Sequence, residues 1–319
     1  MNSNKPQKTA VSLVEISAAQ LNQRLDNFLL KRLDKVPRTR IYRIIRKGEV
    51  RVNKKRSKPD YKLQIGDQVR IPPLHPGQER SQKAIPPKQL LRRLEQAVIF
   101  ENEAILILDK PIGLAVHAGS GVAYGVIDAM RILYPKTEIE LVHRLDRDTS
   151  GCLMLAKNRS ALLAMQAQLR GNQLIKNYLA VVHGNWPREL TEIAQPLKKY
   201  YLPNGERRMQ VDVNGKPAVS RVRVLNGTKQ YSLIQIELVT GRTHQIRVHC
   251  QSQGHAIAGD DKYGDDEFNR SMRRQGIKRL MLHATSLELP FSDYTSEVVI
   301  NAPLPAEFER LLGETNPIR

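Results

Sequence analysis

Cysteine is nearly absent, with only Cys152 and Cys250 in 319 residues. Two thiols are too few for a disulfide framework and are not spaced as metal ligands, so a reducing compartment is the natural reading. No stretch reaches the roughly 18 apolar residues a membrane helix needs. The polar first 25 residues also lack the apolar core of a secretory signal. Nucleotide and metal signatures are missing too: there is no G-x-x-x-x-G-K-[ST], no G-x-G-x-x-G after a strand, no H-E-x-x-H and no C-x-x-C. His244, His249 and His255 are five and six residues apart, which places no pair on one helix face. Catalysis, if present, is expected to use side chains alone, with no metal and no cofactor, in a cytoplasmic protein without a membrane partner.

Positive charge is what the chain has in excess. Lys and Arg number 51 against 32 Asp and Glu, a formal charge of +19. The sequence pI is near 10, which points to a polyanionic partner such as nucleic acid. An apolar content of 40% with 26% charged residues is ordinary for a globular protein, and the length allows two domains. The charge is uneven: residues 1–80 hold 19 Lys and Arg against 7 Asp and Glu, while residues 81–319 hold 32 against 25. This asymmetry favours a dedicated polyanion-binding module at the N-terminal end over a merely solvated basic surface.

Within that module Leu21, Leu25, Phe28 and Leu29 are spaced for one helical face, and Ile41, Ile44 and Ile45 repeat the pattern in a helix starting near Pro37. Arg40, Arg43 and Lys47 form a basic stripe beside the apolar one, and Gly48 ends the helix. Val50 and Val52 alternate with polar residues in a short strand, the basic stretch 54–58 follows, and Gln68 to Ile71 is a further strand after a turn at Gly66 and Asp67. The segment RLDNFLLKRLDKVPRTRIYRIIRKGEVRVNKKRSKPDYKLQIGDQVRIP, residues 24–72, resembles an S4 RNA-binding domain. That resemblance implies an RNA partner held by shape and phosphate contacts, with Arg38, Arg40, Arg43, Arg46, Lys47, Arg51, Lys54 and Lys55 as its grip. Pro72, Pro73, Pro76, Gly77, Pro86 and Pro87 then mark a linker. The expected organisation is a lead-in at 1–22, the S4-like domain at 23–72, a linker at 73–92 and a catalytic body at 93–319.

The body reads mainly as strands: 97–100, 105–108, 153–156, 178–182, 219–224 and 231–239, with Asn226-Gly227 as a hairpin turn. Residues 160–170 and 244–253 read as helices. Strands outnumber helices without strict alternation, so the fold class is α+β with a largely antiparallel mixed sheet.

His143-Arg144-Leu145-Asp146-Arg147-Asp148-Thr149-Ser150-Gly151 precedes an apolar strand. The flanking arginines favour the ionised form of Asp146, which suits nucleophilic or electrostatic work, although a solvated Arg-Asp loop has the same spacing. HRLDRDTSG resembles the catalytic motif of the bacterial pseudouridine synthases that act on large-subunit ribosomal RNA and transfer RNA. ILDKPIGLAVH, KNYLAVVHG, TGRTHQIRVH, GDDKYG and RLMLHA match in order, covering nearly all of residues 97–290. The resemblance implies isomerisation of uridine in large-subunit (23S) ribosomal RNA by an enzyme that needs no cofactor, because nothing is added or removed overall. A chain with its own binding module has no evident need for a partner and is expected to be monomeric. The resemblance places the nucleophile on Asp146, a base-stacking tyrosine on Tyr178 and the nucleophile's arginine partner on Arg247. It leaves Arg144 to enter the RNA stack or to support the vacated base's partners, and Lys110, Pro111, Leu280 and Leu282 as pocket walls. Other RNA targets, a non-catalytic RNA-binding or ribosome-assembly factor, and a metal-dependent hydrolase using Asp146, Asp148, Asp260 and Asp261 are the alternatives.

Overall fold

The computed structural model describes residues 11–33, 36–73, 85–119 and 122–313. The chain divides into two compact units, Met1–Ala84 and Ile85–Arg319, each with its own apolar core.

The smaller unit has the helices α1 (Leu25–Arg32) and α2 (Arg38–Arg46) with four strands: β1 (Ser12–Glu15), β2 (Arg51–Val52), β3 (Lys55–Arg56) and β4 (Gln68–Ile71). The strands pair in the order β1-β4-β2-β3. Leu25, Phe28 and Leu29 from α1 pack with Ile41, Ile44 and Ile45 from α2, as their spacing requires. Leu21 does not join them; it precedes the helix and is exposed, because Asn22 turns the chain with a positive φ. Residues 12–15, expected in a polar lead-in, form β1 along β4. Two buried aspartates hold the unit together. Asp26 accepts hydrogen bonds from Arg24 on its own helix and from Tyr42 on α2. Asp67, in the expected turn, accepts from Asn53, Tyr61 and the Gln64 backbone.

The larger unit begins with α3 (Lys88–Gln96), β5 (Val98–Glu101), β6 (Ile105–Lys110), α4 (Val126–Leu133), β7 (Glu140–Leu141), β8 (Ser150–Ala156) and α5 (Arg159–Arg170). It continues with β9 (Ile175–His183), β10 (Glu192–Ile193), β11 (Leu197–Tyr201), β12 (Arg207–Val211), β13 (Ser220–Gly227) and β14 (Tyr231–Leu238). Two helices, α6 (Gln245–Ser252) and α7 (Asp266–Arg274), then precede β15 (Leu282–Leu289), β16 (Val298–Asn301) and α8 (Ala306–Gly313). Of the expected linker, residues 74–84 lie outside the described residues, and Lys88 to Arg92 are helical. Pro87 caps α3 without penalty, since the first helical turn needs no N–H at that point. Leu94 on this helix is fully buried in the larger unit's core.

The main sheet runs β10-β13-β14-β9-β15-β8-β6-β5, with β7 on β8 and β16 on β15. Its strands pair antiparallel except β8 with β15. All of β8 is buried, which explains its unbroken apolar run Cys152–Ala156. The parallel join needs glycine: Gly151 has φ +105, and a Cβ there would stand 2.1 Å from the Ala284 carbonyl oxygen. Asn226-Gly227 is not the hairpin turn. Both residues pair with β14 beyond a bulge, and the turn is one step later, where Thr228 N–H bonds to Tyr231 O.

Candidate active site

The loop carrying Asp146 lies between β7 and β8. It is anchored by Lys110, the last residue of β6, whose buried ammonium donates to the carbonyls of Pro111, Leu114 and Arg147 at 2.9, 2.9 and 3.0 Å. Burial pushes this ammonium down to about 7, against the pull of Asp148 and Asp146. Lys110 is therefore a tie between loops rather than the pocket wall expected of it. Leu280 is buried in the core, away from the cleft, while Leu282 does line it.

Asp146 stays partly exposed, with 17% of its side chain accessible. Its sequence neighbours turn elsewhere: Arg147 donates to the Gly113 carbonyl and lies 3.9 Å from Asp148. The cation beside Asp146 comes from α6, where Arg247 Nη1 stands 3.6 Å from Oδ2. Arg247 is almost fully buried and is held by a carboxylate the sequence reading left to a metal site. Its Nε and Nη2 donate to the two oxygens of Asp260, both at 2.7 Å. Backbone N–H groups of Lys262 and Tyr263 also donate to Asp260. Burial alone would raise the Asp260 pKa; the guanidinium and these N–H groups outweigh it and hold the carboxyl low. On Arg247, burial pulls downward and the Asp260 bonds and charge win, raising its pKa. The Tyr263 ring lies under the guanidinium, 5.1 Å from centroid to Cζ.

His244 caps α6 in the left-handed region, at φ 53. Its Nε2 lies 4.0 Å from Asp146 Oδ1, and its Nδ1 lies 2.7 Å from Tyr263 Oη. Met209 N–H donates to that same Oη at 2.9 Å. Burial lowers the His244 pKa, and the Asp146 charge opposes the change. Gln245 braces the preceding loop by accepting from Thr240 Oγ1 and Arg242 N–H and donating to the Val219 carbonyl.

Tyr178 stands on β9 with its ring buried. Burial and then the Asp146 charge raise its pKa, so it remains a neutral phenol. The cleft joining Arg144, Asp146, Tyr178, His244 and Arg247 has a volume of only about 50 Å³. That holds a few water molecules and is less than a base occupies, so side chains at the mouth are expected to move when a base enters. Arg144 and Arg242 are exposed there and are the natural ones to do so. Asp260 points to Arg247 and Asp261 is exposed beside Arg273. Among the described residues no three His, Cys, Asp or Glu side chains converge as metal ligands.

In the smaller unit Arg38, Arg43, Arg46, Lys47, Arg51, Lys54 and Lys55 are exposed. Arg40 is half-buried and its Nε is buried without a partner, so it stands apart from the exposed stripe. Arg51 and Lys54 share a cavity of about 720 Å³ with Arg70, which the sequence reading passed over. Arg70 stands out only once β4 is placed against β2.

Comparison with known proteins agrees with this architecture. Residues 104–252 match the family described as RNA pseudouridylate synthase, and residues 23–69 match the S4 domain. Ribosomal large subunit pseudouridine synthase C of Pasteurella multocida (strain Pm70) is 46% identical over 98% of this chain and 97% of its own length. The protein of the same name from Escherichia coli (strain K12) is 46% identical over 99% and 100%. Among solved structures, human RNA Pseudouridylate Synthase Domain Containing 4 superposes with a TM-score of 0.58 at 25% identity, over 70% of this chain and 95% of that one. By sequence over nearly its whole length, and by fold over its larger unit, the chain belongs to the RNA pseudouridine synthase family.

Proposed function

We propose that the protein isomerises specific uridines to pseudouridine in large-subunit ribosomal RNA, with Asp146 as nucleophile. The observation that carries the residue assignment is the pairing of a partly exposed carboxylate, Asp146, with a buried arginine that a second carboxylate fixes in place. Such a guanidinium holds the nucleophile aimed without itself being free to turn away. In the reaction the bond from ribose C1′ to base N1 breaks, the uracil turns, and C1′ bonds to C5. The proton lost from C5 is balanced by one gained at N1. The base leaves its stack to reach the cleft, and Tyr178 supplies the face on which it rests. Arg144, unpinned at the mouth, is suited to fill the space the base vacates. The exposed cations of α2 and of the β2–β3 turn supply phosphate contacts.

Asp146→Asn tests the assignment. Binding of a large-subunit ribosomal RNA fragment should persist, and pseudouridine formation, mapped on the same fragment, should be lost. Substantial turnover by this variant would remove Asp146 from the nucleophile's role.

A further inference from the structure

A cavity of about 450 Å³ opens beside the cleft and shares Arg144, Tyr178, Leu238 and Arg242 with it. Four cations line this cavity, Arg144, Arg170, Lys176 and Arg242, and no carboxylate does. Lys176 is the unusual one. It lies on β9 two residues before Tyr178, on the same face of the sheet, and only 8% of it is exposed. Among the described residues no hydrogen bond or ion pair reaches its ammonium, and burial alone acts on it, pushing it down to about 8. Its Nζ lies against the Gly241 backbone, 3.9 Å from where a Cβ of that residue would be.

Lys110 shows how this fold treats a buried ammonium when it is structural, giving it three carbonyl acceptors. Lys176 has none. Its stem is buried while its ammonium reaches the cavity, where like charges gather around it without a counter-charge. A lysine merely extending its head to water would not need Arg144, Arg170 and Arg242 gathered at the same cavity. What this arrangement lacks is an anion.

Resting on the reading of the neighbouring cleft as a uridine-modifying site, we propose that this cavity binds a phosphate group, namely a phosphodiester flanking the target uridine, with Lys176 as its inner ligand and Arg170 at its rim. Two residues along a strand span about 7 Å, a distance on the scale of one nucleotide. A base stacked on Tyr178 thus brings its own strand's phosphate to Lys176. The cavity would fix the backbone while the base turns.

The test uses the full-length protein and a large-subunit ribosomal RNA fragment, with affinity measured across a salt series and pseudouridine formation measured separately. Lys176→Met is expected to weaken binding about tenfold and to reduce the slope of log affinity against log salt by about 0.7 to 1. Lys176→Arg should restore both. Arg170→Gln, at an exposed helix end where folding is not at stake, should also lower the slope. An unchanged slope in both Lys176→Met and Arg170→Gln overturns the proposal, whether or not the wild-type protein modifies the fragment. A lowered slope with no pseudouridine made by the wild-type protein would sink the catalytic reading and leave the phosphate site standing. Inorganic phosphate alone provides the second arm: if it raises the melting temperature of the wild type but not of Lys176→Met, while the salt slope stays unchanged, the cavity takes a free anion and the RNA assignment is wrong.

Discussion

Asp260 carries no charge to the cleft surface, yet the orientation of Arg247 depends on it. Removing one partner of a buried ion pair leaves the other uncompensated, at a cost of about 3–5 kcal/mol. Asp260→Ala should therefore lower stability in urea by roughly that amount. Asp260→Asn keeps one acceptor oxygen and should fold better, yet with Arg247 less firmly held its turnover should fall more than its affinity for RNA. Kinetics at saturating RNA against a binding titration would separate these effects. The convergence of Asp146, Tyr178 and Arg247 on one cleft was legible in the sequence because each sits in a recognisable motif. The roles of Asp260, His244 and Lys110 were not, because they come from contacts between segments far apart in the chain. GDDKYG was visible, but nothing local indicates that its first aspartate turns inward to an arginine of α6. The flanking Arg147 misled for the same reason: it turns to the Gly113 carbonyl and to Asp148, so this neighbour in sequence is not the partner of the carboxylate.

Among the elements, strands and helices with strong periodicity emerged close to their expected places, as with α2, β4 and α5. Errors fell where backbone conformation overrides composition. Asn226-Gly227 has turn chemistry but lies in a bulged strand, and the prolines before α3 look like linker yet cap a helix. The parallel contact of β8 with β15 gave no sequence signal at all, and its requirement for Gly151 predicts a severe phenotype. Gly151→Ala should destabilise the larger unit by about 3 kcal/mol or more, since both φ and the Ala284 carbonyl oppose a side chain there. Thermal melting would check this. The same junction is acid-sensitive. Arg279 donates to Ser150 Oγ, and that hydroxyl is hydrogen-bonded to His283 Nδ1 at 2.8 Å. Burial pushes the fully buried His283 down to about 4. The unfolded chain takes up its proton first, near pH 6.5, so stability is intact above that pH and is lost as pH falls from 6.5 toward 4. The loss should amount to about 3 kcal/mol at most, and urea midpoints across this range should slope less steeply in His283→Asn.

For the molecule as a whole, the charge asymmetry of the sequence matches the division into two units, each with a separate core. Deleting residues 1–84 should leave the larger unit folded, weaken RNA binding and flatten its salt dependence. An unchanged slope in a binding titration would show that the smaller unit is not the RNA grip. Net charge alone misjudged the larger unit, since Arg247 serves a carboxylate while Lys176 has no hydrogen-bond or ion-pair partner among the described residues. The strand order has a consequence for when the enzyme becomes an enzyme. β8 and β9 are successive in the chain with only α5 between them, yet in the sheet β15 lies between the two. A nascent chain that ends before Leu282–Leu289 already contains Asp146, Tyr178 and Arg247 but lacks the strand that sets the spacing between the aspartate loop and the tyrosine. Catalytic competence is therefore expected to await a late step of synthesis: a chain ending before Leu282 should fail to form pseudouridine although Asp146, Tyr178 and Arg247 are already present.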